Sequence, residues 1–312
     1  MSAEPRRIVS LLPSATEICC ELGLDDRLVG ISHECDFPDI VVGRPVLTES
    51  KIDPTGSSRD IDTEVRGLVA EGLSVYRIDE ELLRELRPDL IVTQDTCEVC
   101  AVSLDEVREA TRRLVGNEVE ILSLSPLLLG DVFEDVKRVG VCSGAEEIAQ
   151  EAVRSLRRRL DGLRRETLEL DRPRVAVLEW LDPPMIAGHW TPELIRIAGG
   201  RPVLGRDGTA TGPIEWSAIV EARPEVLLVA PCGFKVAQSL REMEELSRRP
   251  GFAELPAVLS ERVWIADGNA FFNRPGPRLV ETAEAAAAAI HTDRFAERFS
   301  LGTETLLQWR GV

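Results

Sequence analysis

The sequence predicts an α/β protein of two lobes, each a mostly parallel sheet flanked by helices, bridged by one long helix. Three observations predict it. Short β-branched runs alternate with helical stretches, the pattern of parallel strands joined by helical crossovers. A single uninterrupted helical stretch near the middle is as long as a domain is wide. A second strand–helix series then begins.

In chain order, Ile8–Leu12, Leu28–Ile31, Ser74–Ile78, Leu90–Thr93 and Val119–Leu122 read as strands, with helices starting near Ser14, Ile61, Asp79 and Ser103. Ser14-Ala-Thr-Glu17 is a capping-box pattern, which starts the first helix after a Pro13 turn. From about 145 to 169 Ile148, Ala152, Leu156, Leu160 and Leu163 form one apolar stripe on an otherwise polar helix. At 1.5 Å per residue it spans ~37 Å. The second series comprises strands at Arg174–Glu179, Val226–Ala230 and Val263–Ala266 and helices at Thr191–Ala198, Val236–Leu246 and Arg278–Ile290. Gly199-Gly200 stops the first of these helices. The expected division is an N-terminal lobe over 1–142, a helix over 143–170 and a C-terminal lobe over 171–312; one large doubly wound domain is the alternative.

A formal charge of −17 excludes nucleic acid and anionic membrane surfaces, both of which demand a basic face. No stretch approaches the ~20 apolar residues of a membrane span, so no membrane insertion is expected. The apolar run Ile8–Leu12 is short for a signal-peptide core and lacks a small-residue cleavage site, which predicts a cytoplasmic protein; an extracytoplasmic one requires a start further upstream. Seven cysteines, an odd number, argue for reduced thiols.

Ligands of parallel sheets bind beyond the carboxyl ends of the strands. The rarer residue types collect there. The segments are Ser32-His-Glu-Cys-Asp-Phe-Pro38, Gln94 through Cys100, Glu179-Trp-Leu-Asp-Pro-Pro184 with Gly188-His-Trp190, Pro231-Cys-Gly-Phe234, and Asp267 through Gly276. They supply His33, Glu34, Asp36, Gln94, Glu179, His189, Asn269 and Arg274 as polar candidates. Aromatic residues make up only 4% of the chain, so Trp180, Trp190, Phe234, Phe271 and Phe272 at these loops suggest rings that grip a flat ligand, since Pro-, Gly- and Asn-rich loops rarely supply core. Trp216 and Trp264 read as packing residues and His291 as a surface residue. His33, Cys35, Cys97, Cys100, His189 and Cys232 offer soft nitrogen and sulfur donors for a transition metal. The pair Cys97 and Cys100 is open to metal, redox and packing readings. Neither a Gly-x-Ser-x-Gly elbow nor a Walker A loop is present.

Several segments resemble the class III solute-binding proteins, and within them the cobalamin-binding proteins of ABC importers. Arg7-Ile-Val-Ser-Leu-Leu-Pro-Ser-Ala-Thr-Glu17 is similar to their opening strand and helix, and Val29-Gly-Ile-Ser-His-Glu-Cys-Asp-Phe-Pro38 to their second strand and ligand loop. Arg87-Pro-Asp-Leu-Ile91, Pro183-Pro184 with Gly188, Ala198-Gly-Gly200 and Phe272-Asn-Arg-Pro-Gly-Pro-Arg278 continue the resemblance, which covers about 6–290. It implies a class III periplasmic-binding-protein-like fold and a small-molecule ligand, cobalamin or a related corrinoid or an iron chelate, in a cleft between the lobes. It further implies Phe37 and Phe272 as ligand-facing rings, Met185 nearby and an ABC transporter permease as partner. Three features depart from the family: the family is exported whereas no export signal is read here, an insertion lies around Asp53–Arg77, and the Cys/His set is added. They keep open the alternative of a cytoplasmic metal- or thiol-dependent enzyme that reuses the cleft.

Overall fold

The computed structural model describes residues 7–71, 73–94, 107–109, 111, 119–299 and 302–311. It divides into two compact units. The first is Met1–Pro54, Thr63–Pro126 and Gly130–Ser155; the second is Thr55–Asp62, Leu127–Leu129 and Leu156–Val312.

The first unit follows the chain through β1 (Ile8–Ser10), α1 (Pro13–Glu21), β2 (Leu28–Ile31), β3 (Thr48–Ser50), α2 (Ser58–Ala70, which begins within the second unit), β4 (Tyr76–Ile78), α3 (Glu80–Leu86), β5 (Leu90–Gln94), β6 (Glu120–Leu124) and α4 (Leu129–Ser143). Its main sheet is parallel with the order β2-β1-β5-β6. Ile8, Val9, Leu90, Ile91 and Val92 are wholly buried, the apolar run of a strand covered on both faces. Val9 and Ile91 share a cluster with Leu11, Leu47, Val75 and Leu83. Each such side chain contributes roughly 1.5–3 kcal/mol by leaving water.

Three expectations change here. The capping box does not form: α1 begins at Pro13 after Leu12, with no side-chain cap. Proline suits the first helical position because its missing N–H would be unpaired there, and Thr16 turns its hydroxyl to Ser10 instead. The strand expected at Ser74–Ile78 is present as Tyr76–Ile78, but it pairs antiparallel with β3 in a separate two-stranded sheet. Its partner Thr48-Glu-Ser50 carries no apolar pattern, so the pairing left no trace in composition. Helix α4 escaped the pattern reading because Gly130 and Gly140 interrupt it. A Cβ on Gly140 would lie 2.4 Å from the Ala149 Cβ, so close passage of the next helix requires glycine there. The helix expected from about Ser103 starts outside the described residues.

That next helix, α5, runs Glu146–Thr167, close to the 145–169 expected, and the division between the units falls within it, after Ser155. The second unit continues with β7 (Arg174–Leu181), β8 (Pro184–Ile186), α6 (Thr191–Ile197), β9 (Arg201–Pro202), α7 (Trp216–Ala222), β10 (Val226–Val229), α8 (Val236–Ser247), β11 (Val263–Ala266), α9 (Leu279–Ile290) and β12 (Leu306–Trp309). Its sheet has the order β12-β11-β10-β7-β8, with β9 also on β7; β8 and β12 are antiparallel to their neighbours. Ala176, Leu178, Leu227, Val229, Val263 and Ile265 face one way into a cluster with Met243 and Leu246 of α8. Trp216 and Trp264 are packing residues as expected: Trp216 stacks on Phe252, and Trp264 is 9% exposed within β11. Gly199, at φ +85°, stops α6 in the left-handed conformation that favours glycine. His291 is a correction: it is half-buried, its Nε2 3.3 Å from the Gly199 carbonyl, because the helix stop needs a polar partner in a tight place.

Candidate ligand-binding site

In the first unit, the loop after β2 is built on shared hydroxyls. Thr48 Oγ1 accepts from the His33 backbone N–H (3.1 Å), lies 2.7 Å from His33 Nδ1 and donates to Ser32 Oγ (3.0 Å). Tyr76 donates to Glu34 Oε1 (3.0 Å), and its ring lies 5.3 Å from that of His33. Thr16 Oγ1 stands 3.0 Å from Cys35 Sγ and 2.9 Å from Ser10 Oγ. This network holds His33, Asp36 and Phe37 on the exposed side; Phe37 is 41% exposed. Gln94, the last residue of β5, is half-buried. Cys97 and Cys100 lie outside the described residues.

In the second unit, Glu179 stands near the end of β7 and accepts from Thr211 Oγ1 (2.8 Å) and from the Gly188 N–H. Burial pushes its carboxyl up to about 7, against these two hydrogen bonds. His189 adopts φ 49°, unusual for a side chain. Its backbone donates to Thr209 O (3.0 Å) and accepts from Gly208 N–H (3.1 Å), which clamps two loops together. Burial holds both His33 and His189 below the ordinary imidazole value, so each is neutral at pH 7.

The aromatic expectation needs correcting for three of its rings. Phe234, Phe272 and Trp190 are buried, at 2%, 1% and 8% exposure. The Pro- and Gly-rich loops do supply core here, because hydrogen bonds pin them. Gly268 and Asn269 N–H groups donate to Phe234 O, and Asn273 Nδ2 donates to Ala230 O and Gly268 O. A Cβ on Gly268 would stand 2.1 Å from Pro231 O. Trp190 Nε1 donates to Phe272 O (3.0 Å). Trp180 and Phe271 keep part of their surface open, Trp180 against Phe234 (5.2 Å between centroids) and Phe271 beneath the Arg278 guanidinium (5.1 Å). Met185 on β8 is half-buried and Arg274 is buried, with Nη2 3.3 Å from Asn269 Oδ1.

The metal expectation finds no assembled site among the described residues: no three of His, Cys, Asp and Glu stand where they can share an ion. His33 and Cys35 belong to the first unit, His189 and Cys232 to the second. The thiols of Cys20 and Cys142 are pushed up to about 11 and that of Cys19 still higher, chiefly by burial. Thiolate chemistry requires the opposite shift. Residues that the sequence did not single out are Thr48, Tyr76 and Thr211. The signal for Tyr76 existed, since it is the chain's one tyrosine; Thr48 and Thr211 carried none.

The chain matches the model of the periplasmic binding protein family over residues 8–270. It belongs to that family. It is 25% identical over 301 residues, 94% of its length and 82% of the relative's, to an uncharacterized ABC transporter substrate-binding lipoprotein of Bacillus subtilis (strain 168). It is 22% identical over 282 residues, 89% of its length and 86% of the relative's, to a vitamin B12-binding protein of Vibrio cholerae serotype O1. Among solved structures, a possible iron-binding (periplasmic solute-binding) protein from Staphylococcus epidermidis superposes with a TM-score of 0.71 at 20% identity, covering 93% of this chain and 100% of the other. A periplasmic heme-binding protein from Pseudomonas aeruginosa does so with 0.67 at 21%, covering 92% and 93%. The class III α/β fold and the role of an ABC-type solute-binding protein, not an enzyme, follow from these likenesses. The expected cytoplasmic location is overturned, because these relatives are periplasmic proteins or lipoproteins. That expectation rested on one short apolar run, Ile8–Leu12, which is strand β1 and its continuation. Among the described residues no helix is long and apolar enough to cross a membrane.

Proposed function

We propose that the chain captures a metal-bearing macrocycle, a corrinoid such as cobalamin before a heme or an iron chelate, and delivers it to an ABC transporter permease. The observation that carries this reading is the set of rings left open at strand-end loops in a chain poor in aromatics: Phe37, Trp180 and Phe271. Exposed rings offer a flat, apolar ligand contact area at low entropic cost. Vitamin B12-binding relatives over most of the chain's length favour the corrinoid. Glu34, Asp36 and Gln94 of the first unit and Glu179, Met185 and Asn269 of the second are the further ligand contacts of this reading. His33 and His189 are neutral at pH 7, the form in which an imidazole coordinates a metal centre.

Titration of the purified protein with cyanocobalamin, hemin and a ferric siderophore, followed by visible absorption and calorimetry, tests it. Cyanocobalamin is expected to bind with a Kd of micromolar or below, and Phe37→Ala or Trp180→Ala to weaken it about tenfold or more. Hemin or the siderophore binding in its place reassigns the ligand. Binding of none at high micromolar concentration overturns the reading.

A further inference from the structure

The insertion noted in the sequence carries an unexpected arrangement. Residues 55–62 belong to the second unit, although the chain on either side of them belongs to the first. Three residues, Gly56, Ser58 and Arg59, make the attachment. Gln238 Nε2 donates to the Gly56 carbonyl (3.3 Å) and Trp180 Nε1 to the Ser58 carbonyl (3.2 Å). Ser58 donates through its N–H (2.6 Å) and its hydroxyl to the two oxygens of Glu242 on α8. Arg59 pairs with Asp182 through Nε and with Glu245 through Nη2 (2.8 Å). On the other side, Arg249 holds Leu181 O (2.8 Å) and lies 3.6 Å from Asp182. The gap left among Ser57, Arg59, Asp182, Glu242 and Arg249 is about 20 Å³, room for about one water.

We propose that residues 56–59 are a strap seated on the Trp180–Asp182 turn, and that ligand capture at this turn requires the strap to lift. This rests on the functional reading above, which makes Trp180 a ligand contact. The strap occupies Trp180's single hydrogen-bond donor, so a ligand that uses that donor must displace the strap. Its bonds are polar and partly exposed, with the Arg59 side chain 66% exposed. Water can replace each of them when the strap lifts, and exposed ion pairs hold weakly. Such a segment opens at a small fraction of the cost of unfolding the unit beneath it. Helix α2 keeps its start when the strap is released, because Ser57 and Asp60 cap it locally: Ser57 Oγ donates to Asp60 Oδ2 (2.7 Å) and accepts from the Asp60 N–H (3.2 Å). Glu242 adds a carboxylate at the positive end of the helix.

The test is the double variant Arg59→Ala with Glu242→Gln in the full chain. Two quantities are measured: hydrogen exchange across 55–62, and the association rate of cyanocobalamin by stopped flow (hemin, if that is the probe that binds). Faster exchange across 55–62 with α8 unchanged, and an association rate raised about tenfold, equivalent to about 1.4 kcal/mol, is the expected result. Trp180→Phe, which removes the indole donor but keeps a ring, is expected to raise the association rate too. Unchanged exchange in the double variant shows that these bonds do not hold the strap and overturns the proposal. Faster exchange with an unchanged association rate overturns its gating role. Binding by neither wild type nor variant overturns the functional reading, and the gate with it.

Discussion

The two strand-end regions of this chain solve the same problem in opposite ways. In the first unit the loop after β2 is held by hydroxyls: Thr48, Ser32, Ser10 and Thr16 bond to one another and to the backbone, and the candidate side chains His33, Asp36 and Phe37 stand outward. In the second unit backbone-directed hydrogen bonds pin the loops, and the loops carry rings into the core. Phe234, Phe272 and Trp190 are buried, and the candidates Trp180 and Phe271 are the parts of that aromatic layer left uncovered. The difference separates stability from recognition in the first unit and couples them in the second. Phe37 is 41% exposed, whereas a substitution at Phe272 removes core.

The largest effect expected from this contrast is on stability. Phe272→Ala should cost about 3–5 kcal/mol in denaturant unfolding of the second unit, since it empties a fully buried ring site. Phe37→Ala should stay within about 0.5 kcal/mol of wild type. Comparable losses at both positions would erase the contrast. Next in size, Thr48→Val should cost about 1–3 kcal/mol, because the backbone N–H of His33 and the Ser32 hydroxyl lose their shared partner. It should also raise hydrogen exchange across 32–36 while leaving β7 unchanged.

The smallest effect concerns Glu179. Its folded-state carboxyl is pushed up to about 7 from the ordinary 4.5 of a glutamate. Between those two values the folded state keeps a proton that the unfolded state releases, so its contribution to stability is present at low pH and is lost as pH rises through the window. Glu179→Gln should remove that component of the pH dependence and leave the protein more stable than wild type at pH 8. Thermal unfolding measured at pH 5 and pH 8 separates the two proteins. An unchanged pH profile would show that the carboxyl is solvated in the folded state.

The candidate site was half legible before the structure. His33, Glu34, Asp36 and Phe37 could be placed together because one strand delivers them to one loop. Trp180 follows the same logic on β7, whereas Met185 came only from the family resemblance. Exposure was not legible: Trp190, Phe234 and Phe272 share the loop composition of Trp180 and Phe271, yet they are buried. Which ring of a loop faces inward depends on hydrogen bonds such as Asn273 to Ala230 O, made across 43 residues of chain. The partners Thr48, Tyr76 and Thr211 were missed for the same reason. Each reaches its site from a distant segment, and an isolated hydroxyl has no local pattern.

The sequence by itself determined the alternation of strands and helices, the long helix α5, the Gly199 stop and the strand-end positions of the candidate residues. All of these depend on neighbours within a few residues, where periodicity, propensity and backbone freedom act. The tertiary structure alone decided that β3 pairs with β4 apart from the main sheet. It alone decided which rings are core, that Glu179 is desolvated, and that residues 55–62 join the second unit. Those outcomes depend on groups brought together from far along the chain, and their energies exist only once the chain has packed.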